Sequence, residues 1–154
     1  MHSISAFIIT KNEEKRLTKA ILSIKDLVDE IIVIDSGSTD GTVALAKSLG
    51  AKTIYNKWPG YVAQKSFGEN LCKHKWILNI DADEELSKEL KEEIDYIFSS
   101  KQEDKFQAYR INFVIMHRKD SKPRFLAPSN IFIRLYKKKF ASFGNSMGFT
   151  TRDA

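Results

Sequence analysis

The chain has 154 residues, 42% hydrophobic and 29% charged, with a formal net charge of +5. That is one ordinary domain with enough apolar residues for a core, which excludes a disordered chain. No apolar run approaches the roughly 20 residues that span a bilayer, and the single cysteine, Cys72, excludes an internal disulfide and reads as a buried small hydrophobe.

Met1-His2-Ser3-Ile4 has no basic leader and no small-residue cleavage site, so the chain is expected to stay in the cytoplasm. Ile4 to Thr10 reads as a buried strand. Glu13 to Ile24 follows as a helix, with Leu17, Ala20, Ile21 and Ile24 on one face. Glu30 to Asp35 is a second strand, rich in β-branched residues and so covered on both faces. A Ser/Gly/Asp turn leads to a short helix over Val43 to Leu49, closed by Gly50. Ala51 to Tyr55 is a third strand, and Trp58-Pro59-Gly60 a turn. Tyr61 to Lys73 reads as helix and Lys75 to Ile80 as a fourth strand. Ser87 opens another helix, with Leu90, Ile94, Ile97 and Phe98 as its core stripe. A polar loop over Ser99 to Lys105 precedes two longer strands, Gln107 to Met116 and Asn130 to Tyr136, with Pro123 and Pro128 between them.

This order predicts an α/β fold: a mainly parallel sheet flanked by helices, then an added mixed-sheet portion. The expected division is an α/β half over 1–100, a mixed-sheet part of the same domain over 101–147, and an aberrant or frayed tail over 148–154. In such sheets ligands lie beyond the carboxyl ends of the strands. Three polar clusters sit at those ends: Thr10-Lys11-Asn12-Glu13, then Asp35 to Thr42, then Asp81-Ala82-Asp83. Asp81 and Asp83, one residue apart at a strand end, are the pattern that holds a divalent cation, and the cation in turn a diphosphate. The other reading is a solvated acidic loop. Asn12, Asp40 and Thr42 are also candidates for helix capping, and Gly37 and Gly41 for turn geometry. Neither a P-loop nor a G-x-G-x-x-G spacing is present. An all-oxygen set suits Mg²⁺ or Mn²⁺, and His2, His74 and His117 show no zinc-ligand spacing with Cys72.

Residues 1–100 carry 13 basic and 16 acidic side chains, and residues 101–154 carry 12 basic and 4 acidic. The basic end predicts an anionic acceptor or an anionic membrane surface beside the acidic site, or else a solvated face. Nucleic acid is not expected, because the aromatics there alternate as strand core.

Ile8 to Glu13, Ile32 to Thr42 and Leu78 to Glu84 together resemble the inverting family-two glycosyltransferases, most closely the lipopolysaccharide-core glucosyltransferase subfamily of the WaaE/KdtX type. The resemblance runs from about residue 4 to residue 146. It implies a nucleotide-diphospho-sugar transferase fold of the glycosyltransferase A type (Rossmann-like), a UDP-sugar donor, a divalent cation, and a lipopolysaccharide-core or other lipid-linked acceptor. It places Thr10, Asn12 and Glu13 at the nucleoside and Asp35 near the base. Relatives often have a second acid where Ser36 stands. Asp40 caps a helix, lines the nucleotide pocket, or does both. Asp81 meets ribose and metal, and Asp83 the metal. Gln64 and Lys65 fall near the pyrophosphate, Lys65 with a solvated helix position as the alternative.

Inverting transfer needs a general base, which relatives supply near a His-acid pair after a strand like Ile131 to Tyr136. Here no such pair follows, and Asp153 is the only acid in the tail. The expectation is a C-terminally truncated chain, as if a shifted frame had altered its last residues. Its catalytic base is unknown, and the alternative function is a remnant that only binds nucleotide-sugar. A phosphatase of the D-x-D–Thr kind is disfavoured, since Glu85 stands where the Thr belongs.

Overall fold

A computed structural model of the chain describes residues 2–116, 120, 124, 126–143 and 149–151. Strand β1 (His2–Thr10) is followed by helix α1 (Glu14–Ile24), β2 (Val28–Asp35), α2 (Thr42–Ser48), β3 (Lys52–Tyr55), α3 (Tyr61–Leu71), β4 (Trp76–Asp81) and α4 (Lys88–Ser99). A 3₁₀ turn (Glu103–Lys105) then leads to β5 (Ala108–Val114), β6 (Ser129–Lys137), β7 (Ala141–Phe143) and β8 (Phe149–Thr151). The mainly parallel sheet flanked by helices is the fold class expected. The short pair β7 and β8 was not expected; β8 lies within the stretch read as a tail, whose residues 148 and 152–154 are outside the described set.

Six strands form one sheet in the order β3-β2-β1-β4-β6-β5. β1 pairs parallel with β2 and β4, and β2 with β3, whereas β6 runs antiparallel to both β4 and β5. The chain winds outward from β1 to β3, then returns across β1 to β4. Between β1 and β4 the connections therefore leave in opposite directions, which opens a crevice at their carboxyl ends.

Alternation along β1 divides the core. Ile4, Ala6 and Ile8 face Leu17, Ala20, Ile21 and Ile24 of α1 together with Ile94 of α4, while Phe7 and Ile9 face the side of α3 with Phe67, Leu71 and Tyr136. Helix α3 presses on that side because Gly68 has no side chain: a Cβ there would lie 2.7 Å from Phe7 and 3.1 Å from Ile34. Ser87 caps α4 by accepting from the Leu90 amide at 3.2 Å.

Candidate active site

Asn12 does not cap α1. It sits at φ 55°, its amide donates to Ser38 Oγ at 2.9 Å, and its Oδ1 accepts from the Thr39 amide at 2.8 Å. It thus ties the loop after β1 to the loop after β2. The starts of α1 and α2 serve each other in the same way. The Glu13 amide donates to Thr42 Oγ1 at 2.9 Å, the Glu14 amide to Asp40 at 3.5 Å, and the Gly41 amide to Glu14 Oε2 at 3.1 Å. Asp40 also accepts from the Thr42 amide at 3.0 Å, and its hydrogen bond from the Thr42 hydroxyl holds its carboxyl below the usual range. Capping is therefore one role Asp40 fills.

Asp35, 5% exposed at the end of β2, accepts from the Gly37 amide at 2.9 Å, the Ser38 amide at 3.0 Å and the Ser38 hydroxyl. Gly37 makes this turn at φ 99°, a conformation that favours glycine. Beside it in register, Thr10 closes β1 with its Oγ1 buried and without a hydrogen-bond partner among the described residues. A buried orphan hydroxyl at a strand end is costly unless a ligand completes it.

The end of β4 is the most charged part of the rim. Lys65 Nζ of α3 lies 2.8 Å from Asp81 Oδ1, and Arg134 Nη2 of β6 lies 3.1 Å from Asp81 Oδ2. Arg134 also reaches Glu84 Oε1 at 2.5 Å and Asn79 Oδ1 at 3.0 Å, and Glu84 Oε2 accepts from the Asp81 amide at 2.8 Å. Burial raises the Asp81 carboxyl, but Arg134 and Lys65 outweigh it, so Asp81 is held below the usual carboxylate range. For Glu84 burial wins over Arg134, with the Asp81 charge adding to it, and its carboxyl is pushed up. Asp83 is different: its side chain is 54% exposed and its ion-pair partner among the described residues is Arg16, at 3.5 Å. Arg16 also pairs with Glu13 at 2.7 Å, so the start of α1 reaches the turn after β4.

Of the residues expected at the site, Thr10, Asn12, Glu13, Asp35, Asp40, Lys65, Asp81 and Asp83 all lie along this rim. Gln64 does not open onto it. It is fully buried, donates to Ser36 Oγ at 3.0 Å and accepts from Asn56 Nδ2 at 2.7 Å. Arg134 was not anticipated. Its signal was a charged residue inside the apolar run Ile131 to Tyr136, since a buried charge needs partners.

A divalent cation fits this set in one form. Among the described residues no group of three or more His, Cys, Asp or Glu could hold a metal alone. One or two carboxylates sharing a cation with substrate phosphate is how Mg²⁺ is ordinarily bound, and Asp83 with Asp81 Oδ1 supplies such a pair once Lys65 yields. A cavity of about 260 Å³ between α1 and α4, lined by Leu22, Leu27 and Lys91 among others, lies at the opposite end of the strands.

The basic end is largely used internally. Lys137 is 8% exposed and sits 3.1 Å from Asp104, and Lys138 donates to the carbonyls of Asn70 and Cys72 at 3.1 and 2.8 Å. Arg124 pairs with Asp120 at 2.7 Å, leaving Lys139 exposed. Two of these three consecutive lysines, Lys137 and Lys138, are thus tied to the protein. Arg118, Lys119, Lys122 and Asp153 lie outside the described residues.

The family described as Glycosyl transferase family 2 matches residues 5–151. The chain belongs to it. An uncharacterized glycosyltransferase of Rickettsia felis is 62% identical over 154 residues, covering 100% of this chain and 54% of that protein. The lipopolysaccharide core biosynthesis glycosyltransferase LpsC of Rhizobium meliloti is 47% identical over 94 residues, 58% of this chain and 34% of that protein. A solved structure, Mycobacterium tuberculosis glucosyl-3-phosphoglycerate synthase with UDP, overlaps at a TM-score of 0.49 and 30% identity over 54% of this chain and 34% of that one, too small an overlap to carry a ligand across. This family-2 chain spans about half the length of the rickettsial relative. Its α/β sheet with helices on both faces is the nucleotide-sugar transferase architecture expected. No helix among the described residues is long and apolar enough to cross a membrane.

Proposed function

We propose that this chain is the donor-binding part of an inverting glycosyltransferase that uses a UDP-sugar, with a lipopolysaccharide-core or other lipid-linked acceptor. One observation carries the donor reading: Thr10, Asp35 and Asp81 end adjoining strands at the β1–β4 crevice, their loops cross-linked through Asn12, Ser38 and Arg16. Adjoining strand ends bearing a buried orphan hydroxyl and carboxylates fit a ribose and a cation-bridged diphosphate. Similarity to LpsC supports the acceptor class.

In this reading Asp35 and the Ser38 turn hold the nucleoside end, and Thr10 Oγ1 gains its missing hydrogen bond there. Asp81 and Asp83 hold Mg²⁺ or Mn²⁺, which when bound supplies positive charge to a departing diphosphate. Lys65 exchanges Asp81 for a phosphate oxygen, so positive charge stays where negative charge grows. Contact with an anionic membrane belongs to the whole protein, Lys139 being the described lysine of the basic run free to join it.

A thermal-shift panel of UDP-glucose, UDP-galactose and GDP-mannose with and without Mn²⁺ tests the reading. A ligand at 100 times its Kd stabilises by about 2.7 kcal/mol, so a UDP-sugar with Mn²⁺ should raise Tm by several degrees. No shift with any nucleotide-sugar would overturn it. A turnover assay then separates transfer from binding alone, the alternative of a non-catalytic remnant.

A further inference from the structure

Arg134 is 7% exposed inside the otherwise apolar run Ile131 to Tyr136 of β6, and donor contact does not account for it. In the β5–β6 ladder Tyr109 faces Leu135 and Arg110 faces Ile133, which leaves Arg134 as the extra residue of a β-bulge. A bulge re-aims a side chain, and here the guanidinium is turned onto the end of β4. Its polar partners Asn79, Asp81 and Glu84 all belong to β4 or the turn after it. The rings of Phe113 and Phe132, with centroids 4.8 and 5.6 Å away, wall it in.

The bonds form a closed circuit. Arg134 holds Asp81 Oδ2 and Glu84 Oε1, and Glu84 Oε2 holds the Asp81 amide. Asp81 Oδ1 has Lys65 as its ion-pair partner. Lys65 is on a separate helix by a single flexible stem and its ammonium can be replaced by another cation. Arg134 is planar, buried and bonded to three residues, and cannot leave without stranding two carboxylates.

We propose that Arg134 is the positioning residue of the Asp81–Asp83 turn. It fixes Asp81 Oδ2 and, through Glu84, the backbone at Asp81, so that Oδ1 is the one carboxylate oxygen free to exchange Lys65 for cation and donor. The role rests on the donor-binding reading above. A planar fork is required for it, since a lysine at the same place keeps the charge and loses the simultaneous hold on Asn79, Asp81 and Glu84.

The test is calorimetric titration of UDP into the full chain, in Mn²⁺ and in EDTA, for wild type, Arg134→Lys and Glu84→Gln. Unliganded Tm and circular dichroism are recorded for each. Hydrogen-bond partners of metal-binding side chains affect metal affinity by about tenfold or more. Arg134→Lys should therefore lower UDP affinity in Mn²⁺ by about tenfold, with the affinity in EDTA close to wild type. A merely structural role would lower both together or neither, and either result overturns the proposal. Should Arg134→Lys fail to fold, Glu84→Gln decides: the same selective loss supports the circuit, and an unchanged ratio between Mn²⁺ and EDTA overturns it. Wild type that binds no UDP in either condition overturns the donor-binding reading itself, whereas wild type that binds and is matched by Arg134→Lys overturns the positioning role alone.

Discussion

Gln64 spends its whole amide inside the protein. Its Nε2 donates to Ser36 Oγ and to the Asn56 carbonyl, and its Oε1 accepts from Asn56 Nδ2. This braces the turn after β2 against the end of β3. Adjacent Lys65 points about 100° around the helix and reaches Asp81 instead. In the sequence the two look equivalent, because which face of α3 meets the sheet is decided by Gly68 and Phe67 rather than by the polar pair. Gln64→Leu should strand Ser36 and Asn56 and destabilise by about 2 to 3 kcal/mol. In a chain of this length that lowers Tm by roughly 5 to 10 °C, which differential scanning calorimetry would read; an unchanged Tm would contradict the bracing role. Arg134 was legible only as an anomaly. The apolar run around it announces a buried charge, but its partners lie about 50 residues earlier in the chain (55, 53 and 50 positions), and no local pattern names them.

Elements were easier to read than contacts. Apolar positions three and four apart gave α1 and α4, a dense β-branched run gave β2 and a short apolar run gave β4, because burial on one face or both leaves such patterns in the sequence. The ends shifted by a residue or two: β1 begins at His2 and β5 stops at Val114. Asn12 and Thr42 looked like caps for their own helices, yet the structure makes them cross-links, and only the fold brings those two helix starts together. β7 is three residues long and too short to show a period. Helix α3 offers the element-scale test. Gly68→Ala gains about 1 kcal/mol of helix propensity but forces a methyl group to within 2.7 Å of Phe7, which is itself fully buried. Overpacking costs about 1 to 3 kcal/mol and should win, so the urea midpoint should fall. A more stable Gly68→Ala would show that α3 can retreat from the sheet.

Across the whole molecule, the order β3-β2-β1-β4 places a crevice where three polar loops meet, and that consequence follows from connectivity alone. The rule that ligands sit beyond parallel strand ends made the rim legible before any coordinates. The charge balance was less informative. The basic C-terminal third spends Arg134 on Asp81 and Glu84, and Lys137 on Asp104, whose carboxyl these lysine contacts, Lys75 first, hold below its usual range. Net charge by segment counts such internal pairs as if they faced solvent. In the proposed donor site the exposed Asp83, beside the bracketed Asp81, makes nucleotide binding depend on a cation. The direct measurement is UDP affinity by calorimetry in Mn²⁺ and in EDTA, for wild type and Asp83→Ala. Asp83 is exposed and its ion pair with Arg16 is long, so its removal should leave Tm within about a degree, as for most surface substitutions. Wild type should bind UDP more tightly in Mn²⁺, and Asp83→Ala should lose this gain. Equal affinity for wild type in both conditions, or a full Mn²⁺ gain in Asp83→Ala, would contradict it.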